Sequence, residues 1–559
     1  MGVRSVVWKL PQLSHLSWRE CYISKFNFAH PFPRHFTIMC SLSSFPRPPA
    51  RGLITLYEKD GDLHEGNESE WRELAERFSA YPRVSIVRET TRHPAFPESA
   101  AGAFLQQRES VWKQAFVSWQ EKGFVGFLEQ LSTYNESSIV LSIARFAARS
   151  ILLGTRWFYK QGLFFPHLLL SSENMCKEFS LALDWSRGHV RAFAWHPQCP
   201  KFAVASHGDM VRVYAPNMSI TPMLKHRSQR NITDMAWKPY SSAVLAVACQ
   251  EGVLLWQVEP TSLIARPSAA YASLLSHEGH NPVSSIAWHP KGTLLASASA
   301  ADCSLLIWNV AMEECFPLTR LAGGGVSLIR WSPDGSRLFA ASPQSLFRVW
   351  DTKQWQFDRW STQQGRCQTA CWSPDGRWLL CSFAGRPALY ALSFPPPPAA
   401  SVDEDEGETS AWSPHPDTAF GTGLPVADLS EVDLPLQSDA VDGIRVGGLV
   451  QNMAWDKHGE RLAISFRDCS EYVALFRTKT SPVFQMFPCG FISGPPGESA
   501  QLISFCNSFE GGSLLTVCWS NGLVSHVPLC YCPISPCDSS ETAADLSFTP
   551  LRPPHLYSS

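Results

Sequence analysis

The stretch GHNPVSSIAWHPKGTLLASASAADCSLLIWN, residues 279–309, decides the fold. Within it, an apolar run ends at Trp288, a turn follows at Pro290–Gly292, a second run covers Leu294–Ser299, and a third ends at Trp308. Short apolar runs separated by Gly, Pro and Asp are typical of strands in a small antiparallel sheet. Such a sheet cannot bury both of its faces alone, so the pattern predicts that similar units stack against it.

Copies of this unit recur towards the C-terminus, each marked by an aromatic residue at the end of its first apolar run. Their spacing is close to the roughly 40–45 residues of a WD-type blade, apart from one interval that contains an insertion. The Gly279-His280 and Trp308-Asn309 pairs also resemble the GH…WD pair of WD repeats. The sequence therefore predicts an all-β, seven-bladed WD40-type β-propeller, preceded by an α-helical N-terminal region. The marker residues are Trp195, Trp237, Trp288, Trp331, Trp372, Trp455 and, in a weaker seventh copy, Phe505.

Neither the net charge, nor the cysteines, nor any short motif points to catalysis. A net charge of −3 over 559 residues gives no indication of a nucleic-acid partner or an acidic substrate. The 17 cysteines include no C-x-x-C pair, which favours free, reduced thiols over a zinc site or disulfides. No phosphate-binding loop, H-E-x-x-H or G-x-S-x-G motif occurs. We therefore expect no catalytic residues, no cofactor and no metal.

Changes in composition divide the chain into five segments. Met39 is predicted to be the working initiator, because the residues before it read unlike anything that follows. Within the second segment, 60–97 is predicted to be a poorly ordered polar connection. The third segment contains predicted helices at 111–119, 137–159 and 172–183. The five are an unstructured upstream extension (1–38), a proline-containing polar segment with a strand near 53–57 (39–98), an α-helical region (99–185), the propeller with an insertion loop at 395–424 (186–530), and a disordered tail (531–559).

The seventh unit lacks a fourth strand of its own. Pro533 and Pro536 end any strand after its third run, and an open edge would expose unpaired backbone groups. The free apolar run Leu53–Tyr57 (LITLY) is the best candidate to fill the gap. The sequence therefore predicts that this N-terminal strand closes the ring.

Polar side chains in the third unit match the places where WD repeats form a buried hydrogen-bonded network. They are His280, Asp302, Ser304 and Trp308. We interpret them as structural, because a polar site repeated blade by blade is an architectural pattern rather than a catalytic one. The first unit has His189 and Asp209, but the spacing to its third strand is one residue short, which argues against the same network there.

The predicted helix 139–159 is apolar over most of its circumference but carries a basic stripe. Arginines in the middle of a spanning helix would each cost about 2.5–3.5 kcal/mol, so we do not expect it to cross a membrane. Two alternatives stay open. The helix is buried between the propeller and its neighbouring helices, or it docks a partner in a membrane while its stripe faces acidic side chains or lipid head groups. The candidate docking residues are Ile143, Arg145, Arg149, Leu152 and Arg156.

From Met39 onwards the chain resembles the aladin family of WD-repeat nucleoporins. The resemblance implies a non-enzymatic scaffold or adaptor subunit of the nuclear pore complex. It implies anchoring at the nuclear envelope by a transmembrane nucleoporin, support of nucleocytoplasmic protein and mRNA transport, indirect membrane association without direct nucleic-acid binding, and a further role with spindle factors at mitotic spindle poles. The matching phrases include PRPPARG (46–52), LITLYE (53–58), LFFPHLLL (163–170), VRAFAWHP (190–197), KHRSQRN (225–231), GRCQTACWSPDG (365–376) and SPVFQMFPCG (481–490).

Three other classes of propeller are alternatives. One is a substrate receptor or trafficking adaptor outside the pore, which co-purification with ligase or coat subunits would reveal. Another is a hydrolase, which the sequence disfavours because no acid, base or metal set converges. The third is a phosphoinositide-binding propeller with an F-R-R-G motif, whose nearest text, Phe476-Arg477-Thr478, lacks the second arginine and the glycine.

Overall fold

The computed structural model describes residues 40–86 and 170–531, with short gaps of which 395–423 and 436–442 are the longest. Between those two stretches it describes only 113, 116, 127–128, 131–132 and 144–153, all of them helical. The predicted upstream extension, the helix at 111–119 and the tail therefore lie wholly or mostly outside the described residues. The α-helical N-terminal region as a whole stays a prediction.

The described N-terminal residues form short elements that come before the repeating sheets. In chain order they are β1 (Cys40–Ser41), a 3-10 turn (Leu42–Ser44), β2 (Ile54–Lys59), β3 (Asp62–Gly66), α1 (Glu68–Arg77), β4 (Val84–Ser85) and α2 (Ser172–Phe179).

Seven antiparallel sheets follow, and each is one blade. Blade 1 is made of β5 (Val190–Trp195), β6 (Phe202–Ser206), β7 (Val211–Tyr214) and β8 (Met223–Leu224). Blade 2 is made of β9 (Asp234–Trp237), β10 (Val244–Cys249), β11 (Gly252–Gln257) and β12 (Ala272–Leu275), the last preceded by a 3-10 turn (Ala269–Tyr271). Blade 3 is made of β13 (Val283–Trp288), β14 (Leu295–Ser299), β15 (Leu305–Asn309) and β16 (Glu314–Leu318), and blade 4 of β17 (Leu328–Trp331), β18 (Arg337–Ala341), β19 (Leu346–Asp351) and β20 (Gln356–Ser361).

The last three blades follow the same order, and two of them gain strands from the N-terminal segment. A separate hairpin, β25 (Val432–Pro435) and β26 (Gly443–Val446), lies between blades 5 and 6 in the chain. Blade 5 is made of β21 (Cys367–Trp372), β22 (Trp378–Phe383), β23 (Ala388–Ser393) and β24 (Leu424–Asp428). Blade 6 is made of β27 (Val450–Trp455), β28 (Arg461–Phe466), β29 (Tyr472–Lys479) and β30 (Gln485–Ser493). Blade 7 is made of β31 (Ala500–Cys506), β32 (Ser513–Trp519) and β33 (Leu523–Cys530).

The first strand of each blade is innermost, and these seven strands contact one another in sequence until β31 meets β5. Buried apolar side chains form seven clusters, one between each pair of neighbouring blades. Burial between stacked sheets is what the repeated unit predicts, because each sheet has two apolar faces. The prediction of a seven-bladed propeller is confirmed.

The prediction for residues 60–97 is wrong over their described part, which contains β3, α1 and β4. Asn67 and Glu70 have capping-box spacing, and the Asn67 amide donates to the Glu70 carboxylate at 3.4 Å. Trp71 is only 3% exposed and packs with Ile54 and Leu56. One large aromatic residue therefore anchors a helix in which only Leu74 and Ala75 are otherwise apolar, and a composition-based reading overlooks it.

The helix predicted at 172–183 exists but is four residues shorter. It begins after Ser171, whose hydroxyl accepts the Asn174 amide at 3.3 Å, and ends at Phe179. Ser180 has an extended backbone conformation, with φ −67° and ψ 145°, so the chain leaves the helix there. Of the helix predicted at 137–159, the structure describes residues 144–153 as helical.

Candidate functional site

The marker tryptophans join neighbouring blades through their indole N–H groups. Each buried indole donates to the carbonyl of the residue just before the marker of the preceding blade. This bond occurs at four successive junctions, from blades 1 and 2 through to blades 4 and 5. The pairs are Trp237 to Ala194 at 3.2 Å, Trp288 to Ala236 at 3.1 Å, Trp331 to Ala287 at 3.0 Å and Trp372 to Arg330 at 3.1 Å.

The pattern changes in blades 6 and 7. The Trp455 indole donates within its own blade, to the Thr478 hydroxyl at 3.0 Å. Phe505 has no N–H to donate. Trp195 of blade 1 donates to the side chain of Thr516 in blade 7 at 2.9 Å instead of to a carbonyl. The two junctions that blade 6 makes with its neighbours therefore lack the marker-to-backbone bond found in blades 1 to 5.

The predicted polar network of blade 3 forms a directed chain of hydrogen bonds. The Trp308 indole donates to Ser297 Oγ at 2.9 Å, and His280 Nε2 lies 3.0 Å from the same oxygen. Because a carboxylate accepts, His280 Nδ1–H donates to Asp302 at 2.9 Å. In the neutral imidazole Nε2 is then an acceptor, and the Ser297 hydroxyl donates to it. Ser304 contributes its backbone amide, which donates to Asp302 at 2.9 Å. The sequence analysis missed Ser297, which lies in the strand that pairs with Trp308.

The electrostatics of Asp302 fit this chain. Burial alone would raise the pKa of its carboxyl, but the hydrogen bonds from His280 and the Ser304 amide outweigh it and hold the pKa below its ordinary value. His280 itself is 2% exposed and does not line an open surface. This geometry supports a structural role and offers no access for a substrate.

We expect His280→Ala to lower the free energy of unfolding by about 1–3 kcal/mol, because the Ser297 and Asp302 side chains lose a buried partner. Chemical denaturation of the full chain measures the change. Partner binding, compared at equal amounts of folded protein, is expected to stay intact. A variant with unchanged stability and lost binding would instead identify His280 as a contact residue.

The first blade does not form the same network, in line with its irregular spacing. His189 Nδ1 donates to the Ser520 carbonyl of blade 7 at 2.6 Å. Asp209 pairs with Arg191, whose guanidinium lies 2.5 Å away, and accepts the Ile232 amide at 3.1 Å. His189 therefore joins blade 1 to blade 7, and Asp209 joins blade 1 to blade 2. The two residues do not form the His–Asp bond that is present in blade 3.

The strand β2 closes the ring as the sequence predicts. It pairs in parallel with β33, with Glu58 opposite Leu529 and Lys59 opposite Cys530, and so supplies the outer strand of blade 7. The predicted strand began one residue earlier and ended two residues sooner than the observed one, Ile54–Lys59.

A buried ion pair locks this strand to blade 6. The Glu58 side chain is 0% exposed and that of Arg461 3% exposed, and the Arg461 Nη2 and Nε lie 2.6 and 2.9 Å from Glu58 Oε1. The guanidinium also stacks on the Tyr531 ring at 4.4 Å, and the Tyr531 hydroxyl donates to Asp456. Burial and the neighbouring Asp456 carboxylate raise the pKa of Tyr531. The pair thus joins the N-terminal strand to blade 6 and to the last described residue.

Residues before β2 cover the outer edges of blades 5 and 6. β1 adds a parallel strand to β24, with Cys40 opposite Ala427. Phe45 then packs against Phe476 and Phe491 of blade 6, with ring centroids 4.8 Å apart in both pairs. Residues 40–59, here called the N-terminal strap, therefore bind the outer rim of blades 5, 6 and 7. This part of the ring includes the two junctions of blade 6, which lack the marker-to-backbone bond.

Residues 172–185, here called the channel cover, lie across one end of the ring. On one side, the Trp185 indole donates to the Ile232 carbonyl at 2.7 Å, just before the inner strand of blade 2. The Arg191 guanidinium of blade 1 stacks on the same ring at 4.1 Å. Met175 and Phe179 pack with Ala300 of blade 3.

The opposite side of the channel cover contacts three further blades at the same end of the ring. Arg366, just before the inner strand of blade 5, donates to the Glu178 carbonyl at 3.0 Å. Gln451 of blade 6 donates to the Leu181 carbonyl at 3.0 Å. The Leu183 amide donates to the Gln501 carbonyl of blade 7 at 3.1 Å. All of these partners lie at or near the starts of inner strands, so the segment caps the channel that those strands surround.

The candidate docking helix is described only over residues 144–153, so Ile143 and Arg156 lie outside the described residues. Leu152 is 8% exposed and packs with Ala148, Leu128 and Leu131 in a small separate cluster. Arg149 is exposed and donates to the Ser132 carbonyl at 3.3 Å, whereas Arg145 is half-buried. The structure therefore places Leu152 in local packing rather than at a surface.

Apolar side chains do reach the surface of this helical segment elsewhere. Phe146 is 76% exposed, Leu153 68% and Ile151 44%. No helix among the described residues is long and apolar enough to cross a membrane. Exposed apolar side chains grouped on one short segment are the usual mark of a contact surface.

Metal and thiol chemistry find no support in the described part of the chain. Within it, no three His, Cys, Asp or Glu side chains are grouped to hold a metal ion. Its 14 cysteines are free, and half of them are buried. Burial raises the pKa of the Cys176 thiol to about 12, which keeps it protonated and unreactive at neutral pH.

Comparisons with known proteins agree with this architecture. The family model described as the Aladin seven-bladed propeller matches residues 171–530, a span that begins at the N-cap of α2. Aladin of Arabidopsis thaliana is 29% identical over 370 residues, which are 61% of this chain and 76% of that protein. Coronin-7 of Bos taurus is 28% identical over 162 residues, 27% of this chain and only 17% of its own length.

Among solved structures, the β-propeller domain of Cps50 (Swd1) from Myceliophteria thermophila has 16% sequence identity and a TM-score of 0.43. It covers 61% of this chain and 96% of that domain. The resemblance noted in the sequence is confirmed by the family model, which spans more than half of the 559 residues. The chain therefore belongs to the Aladin seven-bladed propeller family.

Proposed function

We propose that this chain is a non-enzymatic scaffold and adaptor subunit of the nuclear pore complex. In this proposal a transmembrane nucleoporin anchors it at the nuclear envelope, where it supports transport of selected cargo. Membership of the Aladin propeller family carries the proposal, because that family is a nucleoporin-type scaffold of the WD-repeat class. A further role at mitotic spindle poles belongs to the same proposal and rests on the family resemblance alone.

The structure supports a scaffold in two ways. The His280 chain, which is the network that sequence analysis singled out, is buried and serves packing. The channel, where ligands of propellers could enter, is capped at one end by residues 172–185. Among the described residues, the exposed surfaces of the blades and of the helical segment 144–153 are available to partners.

We place the anchoring contact on the exposed apolar residues of that segment. Phe146 and Leu153 are separated by seven residues and so lie on one side of a helix, opposite the buried Ala148 and Leu152. An amphipathic helix with one face held by its own domain and a second apolar face free fits helix-to-helix docking with a membrane-embedded partner.

Changing Phe146→Asp together with Leu153→Asp is expected to abolish recruitment of the tagged full chain to the nuclear rim. Charges on the docking face would have to be desolvated against an apolar partner. Both side chains are largely exposed, so the fold should stay intact. Arg145→Glu with Arg149→Glu is expected to weaken recruitment rather than abolish it. Fluorescence microscopy, with the expression level matched, measures the rim-to-cytoplasm ratio.

The matched control is Met312→Asp with Phe316→Asp, which replaces exposed apolar residues of blade 3, 67% and 51% exposed. This variant should reach the rim like the unchanged protein. Leu152→Asp serves a different purpose, since it reports on the packing of the segment itself. Normal recruitment of the Phe146/Leu153 variant would refute the anchoring contact, and absence of the unchanged chain from the rim would refute the proposed function.

A further inference from the structure

The loop that leads from blade 1 to blade 2 presents a row of positive charges. In Lys225–Asn231 the side chains of Lys225, Arg227 and Arg230 are exposed, while Ser228 and Gln229 between them are buried. This is the phrase KHRSQRN that the sequence analysis singled out and that the proposed function does not use. The alternation directs the cations outwards from a fixed backbone.

Hydrogen bonds from one buried glutamine hold this loop. The Gln229 side-chain amide donates to the Leu224 carbonyl at 3.1 Å and to the Asp209 carbonyl at 2.9 Å. Its oxygen accepts the Trp256 indole N–H at 2.9 Å. These bonds attach the loop to both blades, and they are buried, since Gln229 is only 3% exposed. The shape of the loop is therefore set before any partner binds.

A fourth cation lies on the adjacent turn, Asp184–Gly188. The Trp185 indole of this turn donates to the Ile232 carbonyl at the end of the loop at 2.7 Å, which ties the two segments together. Arg187 is exposed on the turn. In the part of the chain that the structure describes, none of Arg187, Lys225, Arg227 and Arg230 forms an ion pair.

Nearby carboxylates do not cancel this charge. Asp209 lies beside the loop, but it is paired with Arg191 at 2.5 Å and accepts the Ile232 amide. Asp184 and Glu251, on the neighbouring turns, are exposed and lower the local charge without pairing in the described structure. A net positive surface of fixed shape remains on the end of the ring that carries the channel cover.

We propose that this basic surface, Lys225, Arg227 and Arg230 with Arg187, docks an acidic segment of a partner protein. Guanidinium groups bind carboxylates through paired hydrogen bonds, and three of the four cations are arginines. The surface is separate from the helical segment to which anchoring is assigned, so the two contacts can be tested independently.

The surroundings favour a peptide over a nucleic acid or a membrane. Single-stranded nucleic acids need exposed aromatic rings on which bases stack, and Trp185, the aromatic residue of this surface, is 1% exposed. Stable membrane binding by so small a cluster of cations is favoured by apolar side chains that insert beside them. Among the described residues, none of the exposed large apolar side chains lies in the loop 225–232 or in the turn 184–188.

The test uses the full chain and a fluorescein-labelled peptide of repeating Glu-Asp-Ser. Fluorescence anisotropy is expected to show binding that weakens as salt is raised. The variant Lys225→Glu/Arg227→Glu/Arg230→Glu should bind the peptide at least about tenfold more weakly, which corresponds to losing one or more charge-assisted contacts. Unchanged melting temperature shows that the variant is folded, as expected for exposed side chains.

A second variant carries the same change in net charge elsewhere. Lys291→Glu/Lys353→Glu/Arg377→Glu alters three exposed cations in blades 3, 4 and 5 and should keep peptide binding. Equal loss in both variants would overturn the proposal, since it would mean non-specific attraction. Tighter binding of a single-stranded oligonucleotide or of phosphatidylserine vesicles, lost in the first variant alone, would overturn it in favour of those ligands.

Discussion

Replacing Glu58 with Ala should lower the free energy of unfolding by about 3–5 kcal/mol, because the change leaves the Arg461 guanidinium buried without its carboxylate. Breaking a buried pair is costly even where the intact pair adds little net stability. The loss should appear as an earlier denaturant midpoint of the full chain. It should also appear as faster proteolysis of residues 40–59, which the pair holds against blades 6 and 7.

Two controls separate the buried pair from a general effect of lost charge. Glu68→Ala removes one partner of the exposed pair with Arg72, whose side chains are 58% and 66% exposed, and should change stability by about 0.5 kcal/mol or less. The double variant Glu58→Met/Arg461→Met removes both buried charges. Its loss of stability should be smaller than the sum of the losses measured for Glu58→Met and Arg461→Met separately. Strict additivity would show that the two residues are not coupled.

Trp185→Ala should destabilise the chain by about 3–5 kcal/mol, the usual cost of truncating a fully buried tryptophan. Its ring fills the seam between blade 1 and the channel cover, beneath Arg191, and its N–H satisfies the Ile232 carbonyl. Hydrogen exchange should show the loss locally, with faster exchange of the Leu183 amide that bonds to blade 7.

Two comparison variants separate the contribution of the Trp185 ring to stability from that of its hydrogen bond to the Ile232 carbonyl. Trp185→Phe keeps most of the apolar volume but orphans the Ile232 carbonyl, and should cost about 1–3 kcal/mol. Tyr240→Ala truncates an aromatic residue that is 79% exposed and should be neutral within about 0.5 kcal/mol. If Trp185→Ala proved as mild as Tyr240→Ala, the channel cover would not be an integral part of the ring.

Features that repeat in the sequence could be predicted, because each copy reports the same physical demand. The marker aromatics fill the seams between blades, so their spacing counts the blades, and even Phe505 keeps its place by burial alone. The strand at residues 54–59 was predictable from a shortage, since blade 7 lacked an outer strand and one apolar run was free. His280 was predictable because its partners lie within one unit.

Features that join distant residues only once could not be predicted in this way. Glu58 reads as the polar end of a short strand, and its partner Arg461 is 403 positions away, with nothing in either segment to indicate the other. The channel cover looks like one more short amphipathic helix until its carbonyls are seen to accept bonds from blades 5 and 6. Composition also does not reveal which residues of the helix at 144–153 are exposed and so available to a partner.

The position of the N-terminal strap has a consequence for synthesis on the ribosome. Its strand is among the first described segments to be translated, yet Arg461 follows Glu58 by 403 residues. At roughly 5–20 residues per second, the nascent strand waits about 20–80 s before that arginine exists. During this interval the strand lacks its partner β33 and the Glu58 carboxylate lacks its arginine, while blades 1 to 5 are synthesised. The N-terminal strap can therefore complete its contacts only after blades 6 and 7 have been synthesised.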